Sequence, residues 1–329
     1  VAAMLLGVAI GNLFPSLGPA LNSIKIADVS LPIAFGLLWM MYPVLTKVKY
    51  ETIPGLASNK KMFSYSIILN WIIGPALMFG LAWLMLPDMP EYRAGIILVG
   101  LARCIAMVLV WNMLAKGSSE IAAILVALNS VFQIFMYSVL GFFYLELLPG
   151  WLGLSQTQIQ ISMWQIAKSV LIYLGIPLLA GYLTRKILIQ KKGEAWFEKR
   201  FLPKLSPTAL MALLYTIILM FSMQGEKIVS LPLDVFRIAL PLLCYFLLMW
   251  FGAFFGAKAL RFNYSESASV AFTAAGNNFE LAIAVSAGIF GIASGQSLAA
   301  VVGPLIEVPV LVSLVYVSLW AQKFFQKAD

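Results

Sequence analysis

The sequence predicts an all-α polytopic membrane protein, with ten transmembrane helices set as two inverted five-helix repeats and helices four and nine broken where they cross. Three observations predict it. First, 62% of the 329 residues are apolar and only 11% charged, with a mean hydropathy of +0.93, whereas a soluble domain averages about 45–50% and 25%. Second, ten apolar runs follow one another along the chain, each bounded by Pro, Gly or charge clusters. Third, the basic residues alternate between the connections: 16 Lys and Arg fall on one side and 5 on the other, leaving Arg103 inside a run. The positive-inside rule then puts both termini in the cytoplasm of a multi-pass plasma-membrane protein.

The runs read in order as follows. Run one, 1–15, opens at Val1 with neither Met nor a basic flank, so residues are expected to precede it. Its Gly7, Gly11 and Pro15 suit the packed end of a carrier helix; the competing signal-peptide reading would leave nine spans. Run two, 29–48, carries Trp39 and Tyr42 and ends in Lys47. Run three, 62–86, holds Asn70 and closes near Trp83. Run four, 93–116, reads AGIILVGLARCIAMVLVWNMLAKG with Arg103 and Cys104 at its middle. Run five, 120–148, holds Asn129 and Gln133, and completes a first repeat of about 1–149.

Residues 150–163 are the expected link to a second repeat of about 164–323. Run six is 165–189, and the polar stretch 185–206 after it is read as the main cytoplasmic loop. Runs seven and eight are 207–224 and 235–258, the latter with Cys244. Run nine, 266–291, reads ESASVAFTAAGNNFELAIAVSAGIFG, with Gly276, Asn277, Asn278 and Glu280 at its middle. Run ten, 297–322, contains GPLIEVP, which places Glu307 between Pro304 and Pro309. Trp39, Tyr42, Trp83, Trp151, Trp164 and Trp320 lie near run ends and read as interface anchors.

Composition excludes much. With no histidine, Ser-His-Asp hydrolysis, HExxH zinc chemistry and imidazole proton relays are all ruled out. Cys104 and Cys244 are far apart and form no CxxC pair, so neither a disulfide framework nor a metal site is indicated. No GxxxxGK[ST] or GxGxxG occurs, so the chain carries no nucleotide engine, no ATPase subunit is evident and no cofactor is expected. The net charge of +8 is accounted for by the inner connections and anionic membrane lipid, not by nucleic acid. Intramembrane enzymes would need motifs such as DDxxD or GxGD, which are absent, so the chain is not read as an enzyme.

The chemistry is expected where runs four and nine are interrupted, a matching pair of the kind that marks a carrier's site. A charge at the bilayer centre costs about 3 kcal/mol, so Arg103 and Glu280 should face protein or water. A structural ion pair between them is the plainer reading for Arg103. Glu280 is the first candidate for carrying a proton, and Glu307 the second unless it supports freed backbone. Cys104, beside the arginine, is the candidate soft ligand. Asn277, Asn278, Arg103 and Asn129 complete the expected substrate-binding set.

GLARCIAMVLVWNMLAKGS and AFTAAGNNFELAIAVSAGIFG closely resemble the paired signatures of the Acr3 arsenite efflux permeases, within the bile acid, arsenite and riboflavin transporter superfamily. The resemblance runs over essentially the whole chain. It implies a fold like that of bile acid symporters and sodium/proton antiporters, with a panel domain and a core domain carrying crossed, broken helices. It also implies that Cys104 and Glu280 are the essential residues. The expected activity is secondary efflux of arsenite, with antimonite as a further candidate cargo, in exchange for protons. A sodium-coupled organic anion symporter is the alternative on the same fold, with Asn277 and Asn278 as candidate sodium ligands.

Overall fold

The computed structural model describes residues 2–14, 16, 21, 25–26, 29–52, 59–105, 107–154, 162–230, 232–292 and 294–325, with the backbone alone for 2, 4–5, 25–26, 29–30, 223–230 and 232. Val1, Pro15, Lys327 and residues 155–161 of the 150–163 link lie outside the described residues, as does the side chain of Lys227. The architecture is helical. Among the described residues its one exception is a ribbon of two short strands, β1 (Lys25–Ile26) and β2 (Val29–Ser30), paired antiparallel ahead of the second helix.

The described part of each apolar run is largely helical, apart from strand β2 at the start of run two and the interruptions in runs four and nine. The elements are α1 (Ala2–Leu13), α2 (Leu31–Lys47), α3 (Lys60–Met85), α4 (Pro90–Leu101), α5 (Met107–Leu114), α6 (Ser119–Trp151) and α7 (Met163–Lys192). They continue as α8 (Leu202–Ser230), α9 (Pro232–Ala259), α10 (Tyr264–Ala275), α11 (Phe279–Phe290) and α12 (Gly295–Ala321). Six helical stretches among the described residues are long and apolar enough to cross a membrane: Lys60–Met85, Ser119–Trp151, Met163–Lys192, Glu194–Ser222, Leu233–Ala259 and Gly295–Phe324. The chain is a polytopic, multi-pass membrane protein. Its exposed Phe35, Leu84, Phe135, Trp151, Trp164, Leu233 and Tyr316 form the lipid-facing surface expected of one.

Local chemistry sets the helix boundaries. Asn59, Ser118 and Ser294 accept amides of the turns they open, while Ser162 with Gln165 and Asn263 with Glu266 form reciprocal capping boxes. Four helices widen for one π turn, at Leu69–Ile73, Phe143–Leu147, Leu171–Gly175 and Phe197–Phe201, and each turn is followed two residues later by a proline: Pro75, Pro149, Pro177 and Pro203. Proline lacks an N–H and its ring collides with the carbonyl four residues back, so widening the preceding turn removes the clash without ending the helix.

The expected loop over 185–206 is instead a tight helical turn. α7 runs to Lys192, Gly193 turns the chain at φ +85°, and helix resumes at Glu194–Trp196 and Phe197–Phe201 into α8. A positive φ suits glycine, and three charges of the stretch, Arg185, Glu194 and Glu198, pair with one another or with Lys49 and Glu51 just past the end of α2. Lys49 meets Glu198 at 2.6 Å and the buried Arg185 holds Glu51 and, at 3.7 Å, Glu194. Burial works against ionisation of Glu51, yet the donating Arg185 guanidinium holds its carboxyl below the usual value. Burial pushes the neighbouring Tyr50 phenol upward.

Two packed sets result. α1 packs on α8, α8 on α2, and α2 on α7; α3, α4, α6, α9, α10, α11 and α12 pack on one another in the second set. The N-terminal part of α7 also packs on α6 and α11, and so joins the two sets.

Candidate functional site

The site is built from two interruptions. α4 stops at Leu101 and α5 starts at Met107; α10 stops at Ala275 and α11 starts at Phe279. The extended residues between them lie side by side, Arg103 pairing with Asn277 as an isolated antiparallel bridge. The amide of Cys104 donates to Gly276 O at 3.3 Å and that of Asn278 to Ala102 O at 3.0 Å. Each break thus satisfies backbone groups of the other, as groups removed from water must be.

Side chains lock this crossing. Asn277 donates from Nδ2 to Val99 O at 2.9 Å and to Ala102 O at 3.1 Å, while its own amide donates to Glu307 Oε1 at 3.1 Å. Asn278 caps α11 by accepting the Leu281 amide at 3.0 Å. The Arg103 amide donates to Gln133 Oε1 at 3.0 Å. Cys104 is buried, and its Sγ accepts the Val108 amide at 3.3 Å in the first turn of α5. Gly276 faces it so closely that a Cβ there would lie 2.9 Å from Cys104 Cβ.

Arg103 is fully buried, and the ion pair with Glu280 does not form. Its guanidinium instead donates to Gly100 O, to Tyr245 Oη at 2.8 Å and to Ala274 O at 3.5 Å. Gly100 and Ala274 lie in the last turns of α4 and α10, where carbonyls lack helical partners and the helix dipoles are negative, so one cation serves both ends. Tyr245 had not been singled out in the sequence. The signal available was its position in the middle of run eight, where an interface anchor has no use.

Glu280 sits in the first turn of α11 and faces a cleft of about 280 Å³ lined by Met40, Val44 and Lys47 of α2, Ile105 and Met107 at the first break, and Ser206, Leu210 and Leu213 of α8. Its walls are mostly apolar. Arg103, Cys104, Asn129, Asn277, Asn278 and Glu307 are buried and do not line this cleft. Around the crossing, Asn129 Nδ2, Gln133 Nε2, Asn277 Oδ1 and Asn278 Nδ2 are buried without a hydrogen-bond partner among the described residues, while Asn129 Oδ1 accepts from Trp71 at 3.2 Å. Among the described residues no group of three or more His, Cys, Asp or Glu is arranged to hold a metal ion. Cys244 is half-buried and stands apart from the crossing in sequence. Trp83, read as an anchor, is stacked against Arg93, whose guanidinium carbon lies 3.6 Å from the ring centre.

The profile of the Sodium Bile acid symporter family matches residues 34–231, a stretch that includes the first break and ends before the second. The arsenical-resistance protein Acr3 of Corynebacterium glutamicum is 55% identical over 97% of this chain and 86% of that protein. The arsenical-resistance protein Acr3 of Alkaliphilus metalliredigens is 34% identical over 98% of this chain and 91% of its own length. An uncharacterized transporter of Synechocystis is 37% identical over 95% and 84% respectively. With a family profile spanning more than half of its length and relatives aligned almost end to end, this chain belongs to the sodium bile acid symporter family, among its Acr3 arsenical-resistance transporters.

Proposed function

We propose that the protein exports arsenite across the plasma membrane by exchanging it for protons, alternating access to a site at the crossing of α4–α5 and α10–α11. The observation that carries this reading is the crossing itself. It holds one thiol, Cys104, against Gly276, leaves amide atoms of Asn129, Gln133, Asn277 and Asn278 without partners among the described residues, and adjoins through Ile105 the cleft that Glu280 lines. The cleft opens along Lys47 and Ser206, the side rich in basic residues, which supports an inward-facing arrangement with both termini in the cytoplasm.

The residues suit the cargo. Trivalent arsenic at neutral pH is an uncharged trihydroxide with a soft centre that prefers sulfur and hydroxyls that hydrogen-bond. Cys104 supplies one soft ligand; the free amide groups of Asn129, Gln133 and Asn278 are donors for the hydroxyls and Asn277 Oδ1 an acceptor. Three thiolates would trap the metalloid, whereas one leaves it able to depart. A neutral cargo takes no work from the membrane potential, so a second ion must drive it uphill. Glu280, in an otherwise largely apolar cleft, is the carrier of that proton, and Glu307, whose Oε1 accepts the Asn277 amide at the crossing, the support. Antimonite has the same coordination chemistry and follows the same route.

Helix pairing supports ten spans in two inverted repeats. α1 packs on α8 as α2 packs on α7, the exchange of partners expected when the first two spans of each half are related by symmetry, and α4 meets α12 as α10 meets α6. A sodium-coupled organic anion symporter is the reading to beat. It would leave Cys104 without a task. Uptake of arsenite into everted vesicles under imposed pH or sodium gradients decides: proton-driven uptake is expected, and uptake that follows sodium with no pH dependence refutes antiport.

A further inference from the structure

Glu280 and Gly288 stand eight residues apart on one face of α11, about 12 Å along its axis, and each lines a different cavity. Glu280 lies in the 280 Å³ cleft. Gly288 and Ile289 line a second pocket of about 70 Å³, whose other wall is Gln165, Lys168, Ser169, Ile172 and Tyr173 of α7. Between them the face is narrow, since Ala284 and Ala287 are fully buried.

The second pocket is closed by close packing. A Cβ built on Gly288 would stand 2.9 Å from Ser169 Oγ and 3.3 Å from Tyr173 Cε2, so the two helices touch there. Ser169 is buried, and its hydroxyl makes no hydrogen bond among the described residues. The helices over the two cavities are linked: α2 and α8 wall the first, α7 covers the second, and α2 packs on both α7 and α8. α11 packs on α12, in the other set, and touches the first set at two places, α2 and the N-terminal part of α7. The first set therefore meets α11 near Glu280 through α2 and at Gly288 through the N-terminal part of α7, so a rotation about the middle of α11 that tightened the first contact would part the second.

We propose that the contact of Gly288 with Ser169 and Tyr173 is the gate on the far side of the transport route, and that the pocket behind it receives the departing cargo. This rests on the transport reading given above and adds the chemistry of release. The pocket offers an ammonium, an amide and a hydroxyl but no sulfur, so it meets a neutral trihydroxide only through its oxygens. Cargo leaving Cys104 for this pocket passes from a soft ligand to hard ones, which hold it weakly. That gradient favours departure.

The gate is testable by tethering it. Gly288 Cβ would lie 3.6 Å from Ser169 Cβ, within the span of about 3.5–4.5 Å that a disulfide bridges. In a Cys244→Ser background, Ser169→Cys with Gly288→Cys is oxidised in everted vesicles and arsenite uptake is compared with that of each single variant. The reduced pair is not compared, because two adjacent thiols chelate trivalent arsenic. The expected result is a formed disulfide, uptake more than tenfold below either single variant, and retained protection of Cys104 from N-ethylmaleimide by arsenite. A disulfide that forms while uptake stays at the level of the single variants overturns the gate, as does failure of the pair to cross-link. The parent is assayed first, since absence of arsenite uptake there counts against the transport reading alone. Labelling of the single Ser169→Cys variant by a membrane-impermeant maleimide from the Lys168 side then decides the gate, and complete protection under every imposed gradient overturns it.

Discussion

Adding one methyl group at Gly276 should cripple transport without unfolding the protein. Gly276 has φ −72° and ψ 145°, a conformation alanine adopts freely, so the effect is steric rather than conformational. The new Cβ would lie 2.9 Å from Cys104 Cβ, 3.2 Å from Phe272 O and 3.5 Å from Cys104 Sγ. Carbon atoms in contact prefer about 3.5–4.0 Å, so the first distance falls short by roughly 0.6–1.1 Å. Neither side yields easily, because Cys104 N to Gly276 O and Asn278 N to Ala102 O pin the two segments together. Overpacking of this kind costs about 1–3 kcal/mol. Paid in the geometry that presents Cys104 to cargo, that is about a 5- to 150-fold loss of arsenite uptake. The assay is uptake into everted vesicles normalised to membrane-inserted protein, with thermal unfolding in detergent measured in parallel. Parental uptake by Gly276→Ala would show that the close approach to Cys104 has no part in transport.

The remaining outcomes follow from the same geometry. Cys104→Ser keeps size and polarity but replaces soft sulfur with hard oxygen, so uptake of arsenite should fall at least tenfold with insertion intact, whereas Cys244→Ser should stay within twofold; equal uptake by Cys104→Ser and the parent would remove the thiol from the mechanism. Glu280→Gln preserves shape and abolishes protonation, so arsenite should still protect Cys104 from maleimide while uphill transport and proton exchange are lost; uphill transport by this variant would pass the coupling role to Glu307. Tyr245→Phe removes the 2.8 Å acceptor of Arg103, a charged hydrogen bond of about 1.5–3 kcal/mol, so detergent stability should drop by an amount that Arg103→Met in the same background no longer shows. Hydrogen bonding from Arg237 holds Asp88, in the turn between α3 and α4, down at about 2. A carboxyl depressed in the folded state stabilises above its unfolded value, near 4, and loses that contribution as pH falls towards 2. The stability difference between the parent and Asp88→Asn should therefore shrink over that interval, and a difference constant from pH 5 to 2 would refute the link.

Much of this was legible because it depends on composition and local chemistry. Arg103 and Glu280 announced themselves as charges inside apolar runs, and Asn277, Asn278 and Gly276 as a break at a corresponding place, and the structure sets the two breaks against each other at Arg103 and Asn277. What was not legible depends on partners distant in sequence. Nothing local to Arg103 says that its partner is a tyrosine 142 residues away rather than Glu280, because apolar runs do not reveal which faces of their helices meet. The stretch 185–206 is a helical turn where a loop was expected for a related reason: Arg185, Glu194 and Glu198 find partners in Lys49 and Glu51, at least 134 residues earlier. The π turns could have been expected, since each lies just ahead of a proline, yet Pro43, Pro241, Pro304 and Pro309 lie inside helices too. The proline alone does not say which helix will widen.

The four helix ends at the crossing explain why the arginine and the glutamate need not meet. α4 and α10 end there, presenting carbonyls and the negative ends of their dipoles; α5 and α11 begin there, presenting amides and the positive ends. Arg103 donates to the first two, at Gly100 O and Ala274 O. Cys104 sulfur and Glu280 stand at the second two, the sulfur receiving the Val108 amide and the carboxyl lying in the first turn of α11. An Arg103–Glu280 ion pair would leave the carbonyl ends without their cation and tie the carboxyl to a fixed partner, so that its proton could not be exchanged with the cleft. By giving the cation to the carbonyls, the crossing keeps the thiol and the carboxyl at electropositive helix ends. There a negative charge on either is supported by fixed dipoles, and under the antiport proposed above only the exposure of Glu280 to water has to change for a proton to be taken up or released.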